Sequence, residues 1–587
     1  MKKTRRFAAM VAAMALAATM AAPAMSFTAS AATGGANTIA VSNPDGATHT
    51  YKAYQIFAAT YNTGGVLTGI DWGDGVDSAN LLNAIIVANA DNNSPLKGLF
   101  AGITTASSAD DVAKCLGATK TETDPNDATQ TIDVKVFGDK DSDAAQAFAE
   151  LVGANLATAS DLTGLPDGYY LVQDSAAPGA NGGDNSGAKT RYIIDVVGGG
   201  TVSVTAKHAA PTVDKQVQDE TTDAEDGATD GWGETADHAI NEKFDFKLTA
   251  TLAKDANYAA YDTYRLLFTD TLNAGVTYDA IKSVKVNGKD VSAYNATTAK
   301  SGYLVTAPTV TAPALGGGEL KISIGDIKAW LDGTDWADEG NVTVEVIYTA
   351  HLNGNAAVEK SDLDAAATSY DNVNKVKLNY SNNPNVEGSG DSSDTPGGGE
   401  NKEEFGETPE DYVWVFTYEV DNTKYKDAVA DANKLGGAKF QLKDSSDTVI
   451  KFIDNGDGTY TVADQTATTG VVDTMESAAT TGIFNIKGLD AGTYTLTETE
   501  APAGYEKVTI DIIIDAEHQE NTGGATAKLD LKDSSTMNND IIDKQGSSLP
   551  STGGMGTKLF VLGGGVTAAM AGIYLVSKKR TKEENAE

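Results

Sequence analysis

The chain has 587 residues, which is long enough for several domains rather than one hydrophobic core. It carries 82 acidic residues against 44 lysines and arginines, and the net charge of −38 argues against nucleic acid or an anionic membrane surface as a partner. Cys115 is the single cysteine, so intramolecular disulfides are excluded.

The N-terminus has the organisation of a secretory signal peptide. Basic residues cluster between Lys2 and Arg6, and an apolar stretch rich in Ala and Met follows. Ala29-Ser30-Ala31 then offers the small residues of a cleavage site. We therefore predict export, with residues 1–31 removed.

Most of the remaining chain has the period-two alternation of β-strands, with turns rich in Gly, Asn and Asp between them. Helical spacing of apolar residues occurs only locally, around 79–90 and 144–157. The predicted fold class is therefore mostly β, with tandem β-sandwich domains. Clear strand patterns lie at 201–206, 244–252, 342–352 and 508–514.

Two features divide the chain. Pro211 has no backbone N–H to donate to a neighbouring strand, and it restricts the conformation of the residue before it. A low-complexity segment occupies 388–406. They predict three domains with a short linker, at 33–207, 208–395, 396–404 (the linker) and 405–546.

The first and third domains share an internal repeat. Residues 164–178 align without gaps on residues 488–502, and the alignment places Asp174 where the third domain has Glu498. The two domains are therefore predicted to be variants of one sandwich.

Strand phase selects polar residues that face the core of the middle domain. Lys215 alternates in step with two valines, and Asn374 in step with Val, Leu and Tyr. Asp270 likewise falls on the face of a strand that carries Leu and Phe. Because alternate residues of a strand share a face, all three side chains are predicted to point inward.

The same argument applies to the third domain. Lys424 is in phase with aromatic residues and Val of its strand, and Glu498 with Tyr and Leu of another. On the last strand Asn539 and Asp543 are in phase with Ile541.

Two further lysines matter in or near the first domain. Its opening strand, 37–42, contains no lysine, and Lys52 is the nearest alternative. Lys207 falls on the outward phase of the strand that leads to the middle domain.

Other chemical motifs are weak. Residues 454–458 are similar to the start of a calcium loop, but position 12 of that loop would be Gln465 rather than Glu, which favours a turn. The five histidines are scattered, and neither a Ser/His/Asp arrangement nor an HExxH motif occurs. We predict no metal, no cofactor and no enzymatic activity on a separate substrate.

The C-terminus combines the motif Leu549-Pro550-Ser551-Thr552-Gly553, an apolar run at 559–576 and a basic cluster at 578–580. This order resembles the cell-wall sorting signal of Gram-positive surface proteins, which a sortase thiol cleaves between Thr and Gly. Residues 547–587 are accordingly predicted to be a sorting signal with a transmembrane helix at 559–576; the alternative is an ordinary single-pass membrane protein.

Further segments extend the resemblance to the whole exported chain. The string YTLTETEAPAGY at 494–505 resembles the E-box of Gram-positive pilins and of collagen-adhesin B-type immunoglobulin-like domains. The strings TYKAYQIF at 50–57 and TAKHAAPTVDKQV at 205–217 fit the same family. Together they resemble a sortase-assembled major (backbone) pilin subunit.

The resemblance implies intramolecular isopeptide bonds, each joining a lysine to an Asn or Asp with the assistance of a carboxylic acid. This family usually has Asn on the last strand, whereas this chain has Asp543, which would lose water instead of ammonia; Asn539 is the fallback acceptor. The implied nucleophiles are Lys215 and Lys424, the acceptors Asn374 and Asp543, and the acids Asp270 and Glu498. Because the opening strand of the first domain has no lysine, we expect that domain to be uncrosslinked.

The resemblance also implies polymerisation, in which Lys207 attacks the acyl-enzyme formed at Thr552 of another subunit. The implied function is a pilus shaft subunit, secreted and attached covalently to the cell wall. The alternative is a monomeric wall-anchored adhesin with a crosslinked stalk. The implied partners are copies of the same chain, pilin-type and housekeeping sortases and peptidoglycan, with minor pilins and host or cell-surface ligands as further candidates.

Overall fold

The computed structural model describes residues 36–546 except 44–48, 63–65, 125–126, 138–141, 176–186, 207–209, 220–230, 255–257, 259, 332–339, 362–370, 395–402, 522–523 and 525. The signal peptide, Lys207 and the sorting signal with its apolar run lie outside the described residues. Within them, the prediction of a mostly β protein is confirmed. Among these residues no helix has the length and apolar character needed to span a membrane.

The first domain combines two sheets with three helices. One sheet has the strand order β6-β1-β9, the other β3-β2-β7-β8, and β4 pairs with β5 as a separate hairpin. The helices pack on the larger sheet through an apolar cluster that includes Leu81, Val112 and Phe148. The strands are β1 (Asn37–Ser42), β2 (Tyr51–Asn62), β3 (Val66–Trp72), β4 (Thr119–Asp124), β5 (Asp127–Lys135), β6 (Thr163–Leu165), β7 (Gly168–Asp174), β8 (Ile193–Val197) and β9 (Thr201–Thr205).

The helices begin at side-chain caps. Helix α1 (Ser78–Ala90) and helix α3 (Asp143–Gly153) correspond to the two predicted helical segments. The sequence reading missed α2 (Ala109–Leu116), although Ser108 and Asp111 form a capping box at its start. Helix α2 has only eight residues, about two turns, so its apolar spacing repeats too few times to be recognised in the sequence.

The middle domain is a sandwich of two large sheets. The first has the order β11-β10-β13-β19-β15-β16 and the second β12-β22-β20-β14-β18-β17, with β21 paired to β20. A 3₁₀ helix covers Ile327–Trp330. The strands are β10 (Thr212–Gln218), β11 (Trp232–Gly233), β12 (Thr235–Asp237), β13 (Lys243–Leu252), β14 (Leu266–Leu272), β15 (Val276–Val286), β16 (Lys289–Asp290), β17 (Tyr303–Thr306), β18 (Gly318–Ile324), β19 (Val342–Leu352), β20 (Val373–Ser381), β21 (Phe405–Glu407) and β22 (Asp411–Phe416).

The boundary between the middle and third domains lies later than predicted. Strands β21 and β22 pair with β20, so residues 405–416 complete the middle sandwich instead of opening the third domain. The described part of the low-complexity segment is docked on the same domain, because Arg265 bonds Glu403 at 3.1 Å and the Asp391 carbonyl at 2.7 Å. The described residues on both sides of 395–402 therefore belong to the middle domain.

The third domain begins with β23 and is a sandwich of two five-stranded sheets. Their orders are β25-β26-β28-β23-β32 and β27-β24-β29-β30-β31. Residues 454–458 form the turn between β25 and β26, with Gly456 and Gly458 at positive φ. The strands are β23 (Tyr418–Lys426), β24 (Lys439–Lys443), β25 (Phe452–Asp454), β26 (Thr459–Val462), β27 (Met475–Glu476), β28 (Asn485–Leu489), β29 (Gly492–Glu500), β30 (Thr509–Glu520), β31 (Ala527–Asp533) and β32 (Asn538–Asp543); a 3₁₀ helix covers Asp431–Asn433.

The first and third domains share a strand arrangement around the repeated sequence. In each, the opening strand lies between an antiparallel neighbour and the parallel last strand: β6-β1-β9 in the first domain and β28-β23-β32 in the third. The repeated tyrosines form the same local hydrogen bond, from Tyr170 Oη to the Pro166 carbonyl at 3.0 Å and from Tyr494 Oη to the Asp490 carbonyl at 2.9 Å. The repeat therefore encodes a common piece of backbone geometry.

Candidate functional site: two buried lysine clusters

The middle domain buries Lys215, Asp270 and Asn374 completely between its sheets, and all three are 0% exposed. Lys215 lies on β10 of one sheet, whereas Asp270 and Asn374 lie on the neighbouring strands β14 and β20 of the other. The lysine therefore reaches across the core toward an acid and an amide on the facing sheet.

Tyr348 connects the three side chains. Lys215 Nζ contacts Asp270 Oδ2 and lies 3.2 Å from Tyr348 Oη. The tyrosine hydroxyl donates to Asp270 Oδ2 at 3.1 Å and accepts from Asn374 Nδ2 at 2.8 Å. The sequence reading missed this tyrosine, because on the inward face of β19 it is indistinguishable from a core residue.

Burial changes the charge states in this cluster. Loss of solvation lowers the pKa of the Lys215 ammonium and raises the pKa of the Asp270 carboxyl, against the opposing attraction between them. The lysine is also surrounded by aromatic rings, with Nζ 4.8 Å from the centroid of Phe246. The site therefore favours a neutral amine beside a neutral carboxylic acid.

The amide is left with an unused acceptor. Asn374 Oδ1 and Asp270 Oδ1 are buried and have no hydrogen-bond partner among the described residues. A buried carbonyl oxygen without a donor is costly, and a protonated carboxyl oxygen nearby is the group that could satisfy it.

The third domain contains a second cluster, formed by Lys424, Glu498 and Asp543. All are essentially buried, the lysine and Asp543 at 0% and Glu498 at 1% exposure. Lys424 Nζ contacts Asp543 Oδ1 and lies 3.3 Å from Glu498 Oε2. Desolvation, together with the nearby Asp543 charge, raises the pKa of the Glu498 carboxyl despite the attraction of Lys424.

The strand arrangement explains which acceptor is presented. Strands β23 and β32 are parallel neighbours, and Lys426 is opposite Asp543 in their register, so Lys424 and Asp543 lie on one face two positions apart. Asn539 instead donates to Asn422 Oδ1 at 3.1 Å and to the Thr536 carbonyl at 2.7 Å. The structure thus brings Asp543, not Asn539, to the lysine.

The first domain places a different partner beside the equivalent acid. Asp174 is buried, and its Oδ2 lies 2.7 Å from His49 Nδ1. Lys52, whose side chain is 37% exposed, pairs instead with the exposed Asp161 at 2.6 Å. The described part of this domain therefore presents a histidine–acid pair rather than a lysine cluster at this position.

Family models match the C-terminal part of the chain. Residues 422–528 match the SpaA prealbumin-like fold domain, and residues 542–584 match the LPXTG cell wall anchor motif. The anchor motif match confirms the prediction of a cell-wall sorting signal, and the protein is a surface protein attached to the cell wall. More particularly, most of the third domain matches the SpaA prealbumin-like model, and the anchor motif match begins at the end of that domain.

Several solved pilins align with the chain at low identity. The T6 backbone pilin of Streptococcus pyogenes is 14% identical over 87% of this chain and 99% of its own, with a TM-score of 0.43. The full-length major pilin SpaD of Corynebacterium diphtheriae is 15% identical over 88% and 98%, with a TM-score of 0.39. No curated protein matches the sequence significantly.

Proposed function

We propose that the protein is the shaft subunit of a covalently polymerised surface pilus, stabilised by an intramolecular isopeptide bond in each of its last two domains. The observation that carries this proposal is the pair of fully buried lysines. Lys215 contacts the acid Asp270, and Tyr348 bonds both Asp270 and Asn374. Lys424 contacts Asp543 and lies beside Glu498. The wall anchor motif and the SpaA-type domain support the surface location.

In the middle domain the neutral Lys215 amine attacks the side-chain carbonyl carbon of Asn374. Asp270 donates its proton to the carbonyl oxygen, which stabilises the tetrahedral intermediate. The resulting carboxylate takes a proton from the attacking Nζ and passes it to the departing amide nitrogen, and the carbonyl oxygen returns its proton to Asp270 as the intermediate collapses. A new bond joins Nζ to Cγ, the bond from Cγ to the amide nitrogen breaks, and ammonia leaves. Tyr348 bonds both the amide of Asn374 and the carboxyl of Asp270 and so positions them for these transfers.

In the third domain Lys424 attacks Cγ of Asp543, and Glu498 supplies the proton transfers. The leaving group is then a hydroxyl, which departs as water after it is protonated. Glu498 must be protonated to act as the acid, which agrees with the raised pKa that desolvation gives its carboxyl.

Peptide mapping and the intact mass of recombinant residues 32–552 test these bonds. We expect a deficit of about 17 Da for the Lys215–Asn374 bond and about 18 Da for the Lys424–Asp543 bond, since ammonia and water are expelled. Lys215→Ala should remove only the first deficit. Lys377→Ala is the matched control, because this lysine is on β20 but pairs with Glu407 at the surface. A folded protein of unmodified mass would exclude the crosslinks.

Assembly requires a lysine outside the cores, and we propose that Lys207 is this lysine. In the sequence it lies between the residues of β9 and those of β10, which belong to the first and middle domains. Its amine attacks the thioester that sortase forms at Thr552 of another subunit, which forms an amide and releases the enzyme thiol.

Denaturing gels of cell-wall extracts test assembly. Lys207→Ala should abolish the ladder of covalent multimers while the monomer is still cut after Thr552 and attached to the wall. Thr552→Ala should lose both multimers and attachment. If Lys207→Ala leaves the ladder unchanged, another lysine links the subunits; if the wild type forms no ladder, the adhesin alternative is correct.

A further inference from the structure

The junction between the middle and third domains encloses three buried side chains, Asp219, Asp237 and His518, which we call the junction cluster. Their exposures are 7%, 1% and 7%. Asp219 directly follows β10 and Asp237 ends β12 in the middle domain, whereas His518 is on β30 of the third domain. One ligand atom from each lies within 4.8 Å of the others.

The histidine ring is oriented toward the two carboxylates. Its Nδ1 lies 2.9 Å from Thr235 Oγ1, which fixes the ring plane. Its Nε2 lies 3.5 Å from Asp219 Oδ2 and 3.7 Å from Asp237 Oδ2. Nε2 makes no hydrogen bond to the described residues, and neither does the buried Asp237 Oδ1. Two buried polar atoms are therefore left without a hydrogen bond at the same point.

Two carboxyl groups meet at this point, and both are buried. Tyr418 Oη donates to Asp237 Oδ2 at 2.7 Å, which orients this carboxylate but does not neutralise it. Buried carboxylates need compensating positive charge, and one imidazole supplies at most a single charge.

We propose that the junction cluster binds a divalent transition-metal ion of the zinc class, with His518 Nε2 and the Asp219 and Asp237 carboxylates as ligands. The ion would join the middle domain to the third, because each contributes at least one ligand.

The ligand atoms and their spacing favour this class of ion. Ligands about 2.0 to 2.2 Å from a tetrahedral metal lie about 3.4 Å from each other, close to the 3.5 and 3.7 Å separations from Nε2. An imidazole nitrogen suits zinc and its neighbours, whereas calcium and magnesium prefer oxygen ligands alone. The contacts of Thr235 and Tyr418 are of the kind that orient metal ligands from outside the coordination shell.

Calorimetric titration of the chelator-treated mature chain, residues 32–552, with zinc chloride tests the site. We expect one zinc ion per chain and a higher unfolding temperature for the zinc-bound protein. His518→Gln and Asp237→Asn should each weaken binding at least tenfold. His351→Gln is the matched control, because His351 pairs with Asp279 at 2.9 Å rather than with the junction cluster and should leave zinc affinity unchanged.

Anomalous scattering at the zinc edge then locates the ion in crystals of the wild-type protein, which requires no variant to fold. A peak within about 2.3 Å of His518 Nε2 would support the site. Absence of binding, a peak elsewhere, or calcium binding as tightly as zinc at the same site would overturn the proposal. Unchanged zinc affinity in folded His518→Gln protein would overturn it as well.

Discussion

The first and third domains have the same central arrangement of strands, yet their buried acids meet different partners. The repeat places Asp174 on β7 and Glu498 on β29, and the neighbouring tyrosine forms the same hydrogen bond in each. Asp174 faces His49, whereas Glu498 faces Lys424 beside Asp543. A buried acid at this position is therefore a property of the shared sandwich, and the lysine with its acceptor is what distinguishes a domain equipped for crosslinking.

Removing each acid separately gives the largest expected difference between the two domains. Glu498→Ala should abolish the third-domain mass deficit and destabilise that domain by a few kcal/mol, by analogy with the loss of a disulfide that closes a long loop. Asp174→Ala should leave every mass deficit unchanged. Intact mass and differential scanning calorimetry measure the two effects, and a deficit that survives Glu498→Ala would show that this acid is dispensable.

The acceptor in the third domain can be tested without removing it. Asp543→Asn protein should reach the same final mass as the wild type, because loss of about 17 Da as ammonia from Asn yields the same product as loss of about 18 Da as water from Asp. Asp543→Ala should remain unlinked, and Asn539→Ala should remain linked. Peptide mapping that finds Lys424 joined to residue 539 would reverse this assignment.

The strand beside the repeat provides a pH-dependent contrast. Asp195 on β8 is paired with Tyr170 on β7, and burial raises the pKa of the Asp195 carboxyl to about 6. In the third domain the equivalent position, opposite Tyr494, is the fully buried Ile512. At pH values between the ordinary pKa of Asp and about 6, the folded protein binds more protons than the unfolded protein does. The stability of the first domain should therefore fall as the pH rises through this window.

Asp195→Asn should accordingly stabilise the first domain at pH 8 by about 1 to 2 kcal/mol and have little effect at pH 4. Calorimetry at the two pH values measures this, with the third-domain transition as the internal control. An equal effect at both pH values would assign the change to packing rather than to ionisation.

The smallest expected effect concerns the geometry that the two domains share. Tyr170→Phe and Tyr494→Phe each delete a hydrogen bond to a carbonyl four residues earlier, and each should cost about 1 kcal/mol. Denaturant unfolding should give similar losses for the two variants. A loss confined to one domain would mean that the repeat does not carry the same energetic role in both.

The sequence predicted those features that depend on local alternation. Strand phase placed Lys215 and Asn374 on apolar faces, and the structure buries both. Tyr348 and His49 were missed because their roles depend on which strands face each other, which alternation within one strand cannot reveal. The late boundary at 405–416 was missed because composition does not report that β22 returns to pair with β20. The junction cluster joins residues about 300 positions apart and has no motif spacing.

Parallel pairing of β23 with β32 has a mechanical consequence. The two strands are the first and last of the third domain, and they run in the same direction. Tension applied to the two ends of the domain therefore pulls the strands past each other and loads all the hydrogen bonds between them at once, instead of opening them one by one. If Lys424 is joined to Asp543, tension crosses from the first strand to the last through a covalent link, and the intervening chain stays folded and unextended.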